Sequence, residues 1–451
     1  MRTLSRLGFE PLGHHPLSSM VAPCLLLAPC LLLACTPTED DQFAEALELE
    51  LHEEDLEEDP WLVLEQPQPT AASVLNSAVA TGSVIPNPTW ARTGGGNLND
   101  IIWDMAITDD GRFVVAVGEQ ASNNPTSFIQ GLVLVLNAHD GSTHCTQTVG
   151  GPGIEYFQGV ALDGDDIYAA GGRAQGGQDT PFVAKLSVTN CAVQWANPYK
   201  FTLSTQQPEI ALDVAVARPG GEIMVVGAGS LNSTNGTGVP FTAELSAAGA
   251  VLRNPTFPLP PVSVITRVER LDLSPTDGRW ALLGGGSSGP AVLEISASTL
   301  QPIAGTGRQL PPGSNLFITD GAKNRFMGEE VVTVDGDTIT SLSGTLATTG
   351  SLNIPSVTPV PLSATGVDVN SLGVICVGGS LDPLGQPSTA AMLTFLATPN
   401  PTPLGAALLP EGQGSTSFGA AAAGPDGCYA GGVTARGNTF DWYIVKTSFI
   451  P

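Results

Sequence analysis

The sequence predicts an all-β chain closed into a β-propeller of seven four-stranded blades, and three observations carry the prediction. A strand–turn–strand pattern ending in glycine recurs seven times, about every 50 residues. Behind the copies come segments that read as a third strand and then a fourth. The two ends of the repeating region hold complementary fragments of one unit, as a ring that closes on itself requires.

The chain opens with Arg2 and Arg6, followed by a short apolar run at residues 21–34. That run is shorter than the roughly 20 residues a membrane span needs, and Pro23 and Pro29 interrupt it. A positive start, an apolar stretch and a small residue before a cut make a secretory signal peptide over residues 1–34. Leu32-Leu33-Ala34-Cys35 resembles the lipobox of bacterial lipoproteins. The resemblance implies cleavage before Cys35 and lipidation of its thiol with acyl chains such as palmitate. More than one chain makes a stable anchor. Thr36 stands where enteric lipoproteins place an inner-membrane retention aspartate, so the expected location is the outer membrane, facing the periplasm or the cell surface.

Residues 35–85 read as an acidic, disordered tether. No Lys or Arg occurs between Arg6 and Arg92, and acidic residues crowd from Glu39 to Glu65. Like charges repel and keep such a segment extended. A sorting signal for surface display is the alternative for the same run. The net charge of −26 argues against nucleic acid as a partner, since phosphate binding needs Lys and Arg.

Residues 86–451 carry the repeats. The first unit runs Met105-Ala-Ile-Thr-Asp-Asp-Gly-Arg-Phe-Val-Val-Ala-Val-Gly118. The closing glycines of the seven units fall at Gly118, Gly171, Gly227, Gly284, Gly328, Gly378 and Gly431. Asp-Gly and Gly-Gly between β-branched runs are hairpin signals. In the fifth and weakest unit the turn is assigned to Asp320-Gly321. Third strands follow, such as Phe182-Val-Ala-Lys-Leu186 and Trp442-Tyr-Ile-Val-Lys446, and fourth strands such as Val193-Gln-Trp-Ala196. Four short strands per unit make a propeller blade. A glycine at the end of the second strand allows either a positive φ or a close backbone neighbour. The segment at Trp90 reads as a fourth strand lacking its first three, and Asp441–Thr447 as a third strand lacking its fourth. Pairing them closes the ring and hides two sheet edges.

Trp90-Ala-Arg-Thr-Gly-Gly-Gly96, continued by Asp100-Ile-Ile-Trp-Asp and the first unit to Gly118, is similar to the SBBP-type β-propeller repeat of exported bacterial proteins. The resemblance covers residues 88–451 and implies a fold and a compartment, with no activity attached.

Four cysteines remain in the body: Cys145, Cys191, Cys376 and Cys428. An even number in an oxidising compartment predicts two disulfides, with three pairings open. Candidate chemistry is sparse, and no catalytic, cofactor-binding or metal-ligating residue is assigned. His139, Asp140, His144 and Cys145 could ligate a metal but fall at a strand turn. Asp163-Gly-Asp165-Asp166 and Asp335-Gly-Asp337 are the candidates for calcium, without the spacing of a calcium loop. The expected function is a membrane-anchored binding or scaffolding module for a protein or glycan partner. The alternative is a glycan-acting hydrolase or lyase using carboxylates in the funnel. Two or three acids with one Arg at a mouth of the channel would favour the enzyme; a lining of Gly, Ser, Thr and Ala would favour the binder.

Overall fold

The computed structural model describes residues 83–84 and most of 88–448, with breaks at loops such as 122–128, 202–207, 230–238, 311–317 and 409–415. The signal peptide, Cys35 and nearly all of the tether lie outside the described residues. No helix among the described residues is long and apolar enough to cross a membrane.

The described strands form seven successive antiparallel units of four. The first comprises Asp100–Ile107, Phe113–Ala121, Ile129–Asn137 and Thr143–Val149. Its sheet continues into the second unit through one parallel contact, Ile129 with Ile154. The innermost strands of the other six units are Ile154–Asp163, Glu209–Ala217, Val264–Leu271, Asp320–Asn324, Leu362–Val369 and Thr416–Ala423. Each packs against the inner strands before and after it, and the seventh against the first, so the set closes into a ring around an axis. The fold is a β-propeller.

The apolar residues fall into seven clusters, one at each interface between neighbouring units. This explains the near-continuous apolar second strands. Phe113–Ala121 is covered on both faces, so it needs no polar alternation. The fourth strands face solvent at the rim and are more polar, as in Thr143–Val149.

Ring closure takes the expected form. Trp90–Gly94 pairs antiparallel with Thr439–Ser448, Trp90 opposite Lys446, and supplies the fourth strand of the seventh unit. Three side chains of that unit then grip the first: Trp90 Nε1 (3.1 Å), Lys446 Nζ (3.0 Å) and the Tyr429 hydroxyl (3.4 Å) all donate to the Ala138 carbonyl. Ser83–Val84, at the end of the segment assigned to the tether, pairs in parallel with Gly405 and Ala406 on the outer edge of the sixth unit.

The glycine pattern is refined in two places. A Cβ on Gly118, Gly171, Gly227 or Gly284 would sit 1.8–2.0 Å from a carbonyl oxygen of the inner strand of its own unit. Close approach is therefore the reason for these glycines, and none has a positive φ. In the sixth and seventh units the glycines meeting that carbonyl are Gly379 and Gly432, one residue beyond those assigned from sequence. In the fifth unit Asp320-Gly321 is not a turn. It begins the inner strand, where a Cβ on Gly321 would lie 2.3 Å from Leu283 of the fourth unit. The connection between the inner and second strands of this unit falls at 325–329, which with Gly328 lies outside the described residues, while Asp335-Gly336-Asp337, with Gly336 at φ 58°, joins the second and third strands.

Candidate functional site at the propeller axis

Six of the seven inner strands carry a β-bulge at one common level, immediately before Asp104, Gly159, Asp213, Arg267, Gly366 and Ala420. Asp320 holds the equivalent place in the fifth unit. A bulge re-aims the residue that follows it and increases local twist. The glycines keep this level passable: a Cβ on Gly159 would lie 2.6 Å from Asp213 Oδ1, and one on Gly366 would lie 2.6 Å from the Ala420 backbone.

Four charged side chains from four units converge here. Arg267 binds Asp104 in bidentate fashion, Nη1 to Oδ2 at 2.8 Å and Nη2 to Oδ1 at 2.9 Å. Its Nη1 also reaches Asp213 Oδ1 at 3.1 Å, and its Nε reaches Asp320 Oδ1 at 2.6 Å. The planar fork of arginine suits three carboxylates at once in a way lysine could not. Each carboxylate also takes a backbone N–H from the next unit: Val160 to Asp104 (2.8 Å), Val268 to Asp213 (2.8 Å) and Val367 to Asp320 (2.7 Å). Asp368 repeats the device toward Ala423, at 2.8 Å. A threonine ladder supplements it, with Thr266 donating to the Ile318 carbonyl (2.7 Å) and Thr319 to the Ala364 carbonyl (3.2 Å).

All four members of this hub are buried. Burial is the largest influence on Asp213 and Asp320 and pushes them up to about 6 and about 7; Arg267 pulls both down, and Asp104 pushes both up. For Arg267 burial opposes the charge, but the three aspartates hold the proton on.

The channel beside the hub has a volume of about 380 Å³. Ala106, Ala161, Ala215, Ala322, Glu269 and Asp368 line it two residues beyond the hub level. The funnel thus has the three acids with one Arg of the enzyme expectation, while its lining is rich in Ala and Val, with Gly321 its one glycine and neither Ser nor Thr, and so matches the binder expectation chiefly in Ala. The oxygens of the three acids are engaged by the guanidinium and by backbone amides.

The disulfides are Cys145–Cys191, with Cα atoms 5.8 Å apart, and Cys376–Cys428, 5.6 Å apart. The first joins the first and second units, the second the sixth and seventh. His139 is exposed, while His144 Nε2 lies 2.8 Å from the Thr189 carbonyl and its ring packs on Phe113. With Cys145 oxidised, this trio is not a ligand set. Asp163–Asp166 and Asp335–Asp337 both form hairpin turns, and Asp166 is paired with Lys185 at 2.8 Å. Among the described residues no group of three or more His, Cys, Asp or Glu is placed to hold a metal ion.

Sequence reasoning did not identify the hub. The available signal was a charged residue inside otherwise apolar inner strands, at Asp104, Asp213, Arg267 and Asp320, spaced by about one or two repeat lengths.

No family model matches this chain. No curated protein matches it either. Among solved structures it is similar to the β-propeller domain of Myceliophteria thermophila Cps50 (Swd1), at 11% identity over 80% of this chain and 100% of that one, with a TM-score of 0.51. Kuenenia stuttgartiensis hydrazine synthase gives 10% identity over 75% of this chain and 94% of that one, with a TM-score of 0.49. At such identities the likeness is one of fold alone.

Proposed function

We propose that this chain is an exported lipoprotein with an SBBP-type propeller, held at the outer membrane by acyl chains on Cys35. The layout is a signal peptide over 1–34, an acidic tether over 35–85 and the ring over 86–451. The ring is a non-catalytic binding or scaffolding module for a protein or glycan partner, and no cofactor is assigned to it. The lipobox-like leader and the paired body cysteines support export to an oxidising compartment. The observation that carries the non-catalytic reading is the saturation of Asp104, Asp213 and Asp320 by Arg267 and by backbone N–H groups. A catalytic pair needs carboxylate oxygens open to substrate. A rigid ring presenting loops suits recognition instead.

Two measurements test this. Cys35→Ala should move the protein from the membrane to the soluble fraction; continued membrane association would remove the anchor. The mature chain, screened against cell-envelope glycans and immobilised outer-membrane proteins, should bind saturably and leave glycans uncut. Cleavage that disappears in Asp104→Asn would overturn the proposal in favour of a glycan-acting enzyme.

A further inference from the structure

The hub holds one cation against three carboxylates. Among the described residues Arg267 is the only cation within ion-pair distance of Asp104, Asp213 or Asp320. With every group ionised, two negative charges would stand uncompensated in a buried site, which is unfavourable even after relaxation. Buried groups relieve such a cost by taking up protons. The other charged groups facing this space are Asp109 from the first unit, Glu269 and Arg270 from the fourth and Asp368 from the sixth. The second, third, fifth and seventh units add no further charge to the lining: they contribute Val160, Ala161 and Leu162, Val214 to Val216, Gly321 and Ala322, and Ala421 and Ala423. These surroundings are more acidic than basic and do not supply the missing compensation.

We infer that the hub is a proton-loaded lock: one or both of Asp213 and Asp320 carry a proton while the ring is closed, and loss of that proton as the pH rises loosens the ring about its axis. The geometry makes the effect collective. Asp104, Asp213, Arg267 and Asp320 sit on the first, third, fourth and fifth units, and their backbone donors lie on the second, fourth and sixth. Repulsion among unprotonated aspartates therefore acts across most of the ring at once. The released proton passes to bulk water through the adjoining channel. This inference is independent of what the ring binds.

The test uses the full chain carrying Glu119→Gln, because burial also raises Glu119 to about 7 and would blur the titration. Infrared spectra in heavy water should show the C=O band of a buried protonated carboxyl that titrates between about pH 6 and 7, the range of Asp213 and Asp320, rather than near the ordinary 3.8. The band should be lost in Asp213→Asn/Asp320→Asn. Hydrogen exchange at the Val160, Val268 and Val367 amides should accelerate above that range beyond its intrinsic pH dependence. A band that titrates near 4, or that survives in the double variant, would overturn the lock. So would an absent band together with a melting temperature that rises on adding calcium or magnesium, since a metal ion would then be compensating the hub.

Discussion

Gly118 shows how one missing methyl group permits a blade. Its absent Cβ would overlap the Ile101 carbonyl oxygen at 1.8 Å, and the bulge that turns Asp104 to the axis begins one residue further on. A side chain here must push the inner strand away, undoing both the bulge and the aim of Asp104. Overpacking of this kind costs about 1–3 kcal/mol. Gly118→Ala should therefore lower the unfolding free energy by that order, seen as a lower urea midpoint with an unchanged slope. A wild-type midpoint would mean that the two strands do not approach as described. Gly164 is a glycine for a different reason: nothing lies within 4 Å of its Cβ position, but its φ of 58° is left-handed.

At the scale of elements, the closing strand and the disulfides share one neighbourhood. Trp90–Gly94 completes the seventh unit, while the two bridges tie that unit to the sixth and the first unit to the second. The seam between seventh and first units has no bridge of its own among the described residues. It relies on the donors from Trp90, Lys446 and Tyr429 to Ala138, with Arg92 adding bonds to the Gly141 (3.0 Å) and Asp140 (2.6 Å) carbonyls. Removing the bridge that spans 46 residues from Cys145 to Cys191 should cost up to about 4 kcal/mol in the loop-entropy picture. Cys145→Ser/Cys191→Ser should thus unfold at markedly lower denaturant, and digestion of the unreduced protein should yield the 145–191 and 376–428 linked peptides. Linked peptides of any other pairing would contradict the ring order. Deleting residues 88–94 exposes the edge of Thr439–Ser448 and should produce concentration-dependent association in gel filtration; a monomer at all concentrations would show that the edge is protected in some other way.

For the whole molecule the decisive term is charge at the axis. Arg267→Met leaves three buried carboxylates without their cation, and breaking such a network costs about 3–5 kcal/mol. The loss should be larger at pH 8 than at pH 5, read from denaturant midpoints at fixed salt. An equal loss at both would separate the hub from proton uptake. In the wild type, Asp213 and Asp320 are held above 3.8, so the folded ring binds more protons than the unfolded chain between about pH 4 and pH 7. Their contribution to stability is complete below about pH 3.8. It declines as pH rises and is gone above about pH 7.

The propeller was legible in the sequence because its signals are local. Asp-Gly turns, apolar strands and close-approach glycines recur within each unit, and the fragments at Trp90 and Asp441 announce the closure. Local signals also explain the one misassigned turn. Asp320-Gly321 looks like a hairpin, and only packing against Leu283 marks Gly321 as part of an inner strand. The four cysteines stated that two bridges form, while the adjacency of units decided which partners meet. The contacts of the hub belong to the tertiary structure. Asp104 and Arg267 are 163 residues apart and touch only because seven units close a circle, so their chemistry exists once the ring does. Repetition is a property of the chain, whereas convergence on an axis is a property of the closed ring.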